Sequence, residues 1–159
     1  MASTQGIKEE LLEFFDEWFV AIRAHDRAWV ESHLSPEFSD WIVPTGKALL
    51  RAEFLDVEMS MEDFDAEILE MEAHEANGFI ASIYTLMLRE KFPAAEALDE
   101  KQRQIMAESG VLGHVDGVWV ESKETVVSTI FRRGEDGNLL VVHHMLAGLV
   151  KPEHSVAAA

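Results

Sequence analysis

In residues 7–25 (IKEELLEFFDEWFVAIRAH), the apolar positions Leu11, Phe15, Trp18, Phe19 and Ile22 recur at three- and four-residue intervals. That spacing predicts a helix with one buried stripe. Glu9, Glu10, Glu13, Asp16 and Glu17 fall elsewhere on the wheel, and the first acids suit the positive end of the helix dipole. Asp26 reads as the N-cap of a second helix over 27–34, stopped by Pro36. The pattern then changes. Residues 38–43 (FSDWIV) read as a short strand, 47–59 as a third helix, and 64–74 and 79–92 as two strands joined at Asn77-Gly78, a hairpin signal. Residues 94–108 are rich in Ala, Glu, Lys, Gln and Met with a narrow apolar stripe, and predict an inserted helix ended by Gly110, with 113–118 a loop. Residues 126–131 (VVSTIF) and 139–150 (LLVVHHMLAGLV) predict a long closing hairpin turned at Asp136-Gly137.

Helices come first and a strand meander follows, which is an α+β order. Length favours one domain, expected over 4–150, with a flexible tail over 151–159. Met1-Ala2-Ser3 and Ala157-Ala158-Ala159 have the look of vector-derived ends. There is no cysteine, hence no disulfide framework or thiolate chemistry, and a cytoplasmic location is the default expectation. Acids outnumber bases 30 to 13, a net charge of −17. Nucleic acid and anionic membrane surfaces are poor partners for such a chain. No apolar run approaches the roughly 20 residues of a membrane span.

His143 and His144 are adjacent within a predicted strand, so they point to opposite faces. The inward one is either a satisfied core histidine or part of a site. An imidazole that titrates near neutrality is suited to proton transfer. Asp40 could orient it or act as a base, and Tyr84, the only tyrosine, could donate from its phenol. Asp40 shares a strand face with Ile42; Trp41 belongs to the other unless a bulge intervenes. Thr129 could bond a ligand from the same wall. Trp18 and Trp41 are core residues or the lining of an open mouth. Glu70, Glu72 and His74 alternate along one strand, a pattern of metal ligands or of a solvated face; the solvated face is expected. No metal or cofactor motif occurs: there is no His-Glu-x-x-His, phosphate loop or nucleophile elbow.

Several segments together resemble the nuclear transport factor 2-like superfamily, nearest its SnoaL-like and ketosteroid-isomerase-related branch. They are Ala24-His25-Asp26, LSPEFSD at 34–40, PTGKALLRAEF at 44–54, and the closing hairpin with Asp136-Gly137 and Val142-His143-His144. The resemblance spans most of the chain outside 93–117. It implies a cone-shaped α+β barrel, with N-terminal helices packed in a strongly curved antiparallel sheet. It also implies a homodimer through the outer sheet face and an apolar pocket. The isomerase's three catalytic positions correspond to Trp18, Ile42 and Thr129, all different in type, which argues against a steroid-isomerase mechanism. The same correspondence puts His144 on the pocket side with Val142 and Leu146, and His143 outside. The expected function is binding of a small apolar, cyclic or polyketide-like molecule. Acid/base catalysis of isomerase, dehydratase or cyclase type by His144, Asp40 and Tyr84 would accompany it, without a cofactor. The alternative is a non-enzymatic ligand-binding or assembly domain.

Overall fold

The structure, a computed structural model, describes residues 4–42, 47–91, 100, 119–149 and 155–157. The expected inserted helix at 94–108 and the loop at 113–118 lie outside the described residues, Glu100 excepted. The chain is α+β. Helix α1 (Thr4–Arg23) is followed by α2 (Arg27–Ser32), β1 (Leu34–Ile42), β2 (Lys47–Leu50), α3 (Arg51–Glu58), β3 (Asp63–Ala76), β4 (Phe79–Lys91), β5 (Trp119–Arg133), β6 (Leu139–Leu149) and β7 (Ser155–Ala157).

The apolar stripe of α1 does what its spacing predicts. Leu11, Phe14, Phe15, Phe19 and Ile22 are buried. The helix ends on His25, which takes a left-handed φ of 54°. His25 N–H donates to Ile22 O (3.0 Å) and Asp26 N–H to Ala21 O (2.9 Å), closing the last turn. Asp26 then caps α2, its Oδ1 accepting from Trp29 N–H at 3.0 Å.

The six main strands form an open, curved sheet in the order β2-β1-β6-β5-β4-β3. Neighbouring strands are antiparallel except β1 and β6, which run parallel. No local signal specifies the direction in which strands a hundred residues apart will pair. Asn77 (φ 53°) and Gly78 (φ 80°) make the tight β3–β4 turn, with Ala76 opposite Phe79. Gly137 (φ 83°) serves the β5–β6 turn, where a side chain would be strained.

Three elements differ from the sequence reading. The stretch expected to be one helix over 47–59 opens as β2, an edge strand against β1, with Ser39 opposite Leu50. The helix starts only at Arg51, where the Glu53 carboxylate accepts from Leu50 N–H at 3.0 Å. Strand β1 begins at Leu34 and contains Pro36, which was expected only to stop a helix. The β1–β6 register is irregular between Leu34 and Ser39, the kind of interruption that tolerates a residue without an N–H. Part of the expected tail is paired, because β7 joins β5 with Val120 opposite Val156.

The core lies between α1 and the concave face of the sheet. Phe131 of β5 is fully buried. Its ring meets Phe14 at 5.2 Å and Phe15 at 5.7 Å, both edge-on. Arg133 ties the same strand to α1 through two bonds to Glu10, at 2.7 and 2.9 Å. Truncating Phe131 leaves a cavity that α1 cannot close without moving. Phe131→Ala is expected to cost about 3–5 kcal/mol, read as a lowered urea midpoint; a loss below about 1 kcal/mol would contradict this packing.

Candidate functional site

The interior side chains follow from strand register. Asp40 on β1 is opposite His144 on β6. His144 is opposite Thr129 on β5, and Thr129 is opposite Ser82 on β4. Residues paired across a ladder point to one face, so these four form a row on the concave side. The next row outward is Trp41, Met145, Ser128 and Ile83. It is on the convex side, with Trp41 and Ile83 about half exposed.

His144 Nδ1–H donates to Asp40 Oδ1 at 2.7 Å. Asp40 is 7% exposed, so this contact lies well inside the fold. Tyr84 Oη and Thr129 Oγ1 share a hydrogen bond of 2.9 Å. Ser82 Oγ donates to the Thr129 carbonyl at 3.1 Å, fixing the strands beneath that pair. Burial raises the Tyr84 phenol further above its ordinary range than Thr129 lowers it, and Asp40's charge adds to the rise. The phenol is therefore a neutral donor or acceptor at any physiological pH.

His144, Asp40, Tyr84 and Thr129 border a partly open cavity of about 110 Å³. That is below the ~150 Å³ of an apolar cavity that holds benzene, so a ring-sized ligand would extend past it toward the open side. Trp18, Phe38, Phe54, Phe64 and Leu146 contribute to its walls. Of the residues singled out from the sequence, His144, Asp40, Tyr84, Trp18, Thr129 and Leu146 meet at this cavity.

Trp41 and Val142 do not. Trp41 is 47% exposed on the convex face. Its indole N–H donates to Ser39 Oγ at 3.2 Å, and its ring is 6.3 Å from His143. Val142 is displaced by a bulge: Ile130 pairs with His143 but Phe131 with Val141, so Val142 is the extra residue. Val141 takes the inward place expected of Val142. His143 points outward as expected, with Nδ1 3.1 Å from Ser39 Oγ. Glu70, Glu72 and His74 are exposed on β3. Among the described residues no three carboxylate or imidazole groups converge as a metal would require.

The sequence reading missed the two glutamates of the cavity wall, Glu58 and Glu90. Glu90 had a legible signal. It continues the inward phase of β4 set by Ile80, Ser82, Tyr84 and Leu86. Glu58 is one turn beyond Phe54 on α3 and also faces the cavity. Burial, then the Asp40 charge, pushes Glu90 up to about 7, against a smaller opposing pull from His144. Glu58 as a residue keeps some exposed surface, yet its carboxyl is deep. Burial, then Glu90 and Asp40, raise it well above the ordinary glutamate range.

No protein-family profile matches the chain, and no curated protein matches it in sequence. Solved structures do match its fold. A nuclear transport factor 2-like superfamily protein from Salmonella enterica aligns over 94% of this chain and 96% of its own, with 13% identity and a TM-score of 0.65. ActVI-ORFA from Streptomyces coelicolor aligns over 90% of this chain and 97% of its own, with 14% identity and a TM-score of 0.62. A candidate ketosteroid isomerase from Shewanella frigidimarina aligns over 84% and 90%, with 11% identity and a TM-score of 0.55. The fold is the nuclear transport factor 2-like cone. Among the described residues no helix is long and apolar enough to cross a membrane.

Glu90 links the site to stability. Between its ordinary value of 4.5 and about 7, the unfolded chain releases a proton that the folded chain keeps. Stability from this group is full at low pH and declines as pH rises through that window. The amide in Glu90→Gln cannot ionise. The variant should match the native protein near pH 4.5 and exceed it at pH 8 by up to about 3 kcal/mol, at 1.36 kcal/mol per pH unit. Urea unfolding at the two pH values measures this, and a gap that does not widen would contradict it.

Proposed function

We propose that the cone is a single domain, spanning residues 4–150, that binds a small, largely apolar, ring-containing molecule and performs an acid/base step on it. The observation that carries this reading is the 2.7 Å contact between His144 and Asp40 on the wall of a mainly apolar cavity. With Nδ1–H committed to Asp40, the Nε2 lone pair of His144 is the basic atom left for a ligand proton. The imidazolium formed by taking that proton would be held by the Asp40 carboxylate. The Tyr84–Thr129 hydroxyl pair supplies neutral hydrogen bonds to a polar atom of the ligand. A base, a counter-ion for it and a neutral hydrogen-bond donor are elements that isomerisation, dehydration and cyclisation by proton transfer can use. A ketosteroid isomerase candidate among the fold's relatives is consistent with chemistry of this kind.

The test has two steps. Native mass spectrometry of gently purified protein should show added mass of a few hundred daltons, which identifies the ligand. With that compound or its precursor as substrate, His144→Ala should lower turnover by about 10²–10⁴-fold while binding is retained. Unchanged turnover would remove His144 from the chemistry.

The second reading, assembly without catalysis, is favoured by one observation. The convex face exposes Trp41, Phe79 and Ile83. Apolar groups on one exposed face mark an association surface, and we propose a homodimer through it. Ile83→Lys should shift the mass from dimer to monomer; a native protein that is already monomeric would refute the dimer.

A further inference from the structure

Two acids inside the cone, Glu58 and Glu90, have no role in the reading above. Glu90 is 8% exposed and borders the cavity. Among the described residues its carboxyl has no hydrogen-bond partner. The carboxyl groups of Glu58 on α3 and Asp40 on β1 are close enough to act on it electrostatically. Among the described residues no lysine or arginine borders the cavity, and His144 is its one basic group. Buried acids without counter-ions are costly in their charged form; they stay protonated unless a cation joins them.

The walls favour such a cation. Trp18, Phe38, Phe54 and Phe64 surround the same space, and the electron-rich faces of such rings attract cations in an environment poor in water. The exterior agrees in sign: at a net charge of −17 the protein as a whole draws cations and repels anions. An anionic ligand would be opposed by both the exterior field and the interior acids.

We propose that the molecule taken by this cavity is a cationic amphiphile: an organic ammonium on a ring-sized apolar body. The ammonium sits among Glu90, Glu58 and Asp40, and the body lies against the aromatic wall. This rests on the cavity being a ligand site, as argued above. The titratable groups facing the ammonium are Asp40 from β1, Glu58 from α3, Tyr84 and Glu90 from β4, and His144 from β6. Binding of a positive charge favours the ionised carboxylates, so it releases protons near neutral pH. Affinity therefore rises with pH through the range in which Glu90 ionises.

Two probes with one ring system separate this inference from the one beneath it. They are 2-naphthylmethylamine, charged at pH 7.5, and 2-naphthylmethanol, neutral. Isothermal titration calorimetry should find the amine bound about tenfold or more tightly than the alcohol. Titrations in two buffers of different ionisation enthalpy should show proton release with the amine. Glu90→Gln should remove most of the amine's advantage and leave the alcohol's affinity within about twofold. If that variant binds neither probe, Glu58→Gln carries the same comparison. An alcohol that binds the native protein as well as the amine overturns the cationic ligand and leaves the cavity reading standing. Failure of both probes to bind the native protein overturns both.

Discussion

The interior of this protein depends on one shared register across β1, β6, β5 and β4. Asp40, His144 and Thr129 face the cavity, and Ser82 the concave side beside it, because each is paired with the next. A slip of one residue in any strand would exchange an inward group for its outward neighbour. Ser39 or Trp41 would replace Asp40, and His143 or Met145 would replace His144. Such a slip would drive His144 to the surface and break its bond to Asp40. The bulge at Val142 is part of the same constraint. It brings Val141 against the core while leaving His144 in phase with Thr129.

Helix α1 is the second half of the arrangement. Its aromatic stripe covers the concave face, where Phe15 meets Tyr84 with ring centres 4.8 Å apart. This packing seals one part of the cone and keeps water from the sheet. Trp18 and Phe19 of the same stripe line the space that remains, which is partly open. The low polarity produced by the packing is the cause of the raised carboxyl groups. Glu58 and Glu90 ionise less readily than exposed glutamates because the aromatic walls solvate a carboxylate poorly and Asp40 adds a like charge. Packing and electrostatics are thus one property of the cavity. The rings that stabilise the fold also set the protonation of the groups among them.

Much of the fold was legible because it rests on local periodicity. The three-and-four spacing of Leu11, Phe15 and Ile22 specifies a buried helix face, and Asp26 specifies the next N-cap. Asn77-Gly78 specifies a hairpin, since both positions take positive φ. Alternation also separates His143 from His144, while the inward place of His144 rested on the family resemblance, since apolar residues flank both histidines. The third helix was misread in its first turn. Residues 47–50 have helix-compatible types, but β1 offers them a free edge, and that long-range pairing outweighs propensity.

The sequence by itself determined most element types, the helix stripe, the tight turn and the opposite facing of the two histidines, because each follows from bonds and contacts between residues near in the chain. Tertiary structure alone decided that β1 runs parallel to β6, so that Asp40 reaches a histidine 104 residues away. It alone displaced Val142 from the wall, turned Trp41 outward and brought Glu58 to Glu90 across the cone. Those outcomes depend on which strand edges meet and where a bulge is inserted. They are set by the total burial of a closed core, which no local pattern of apolar and polar residues encodes.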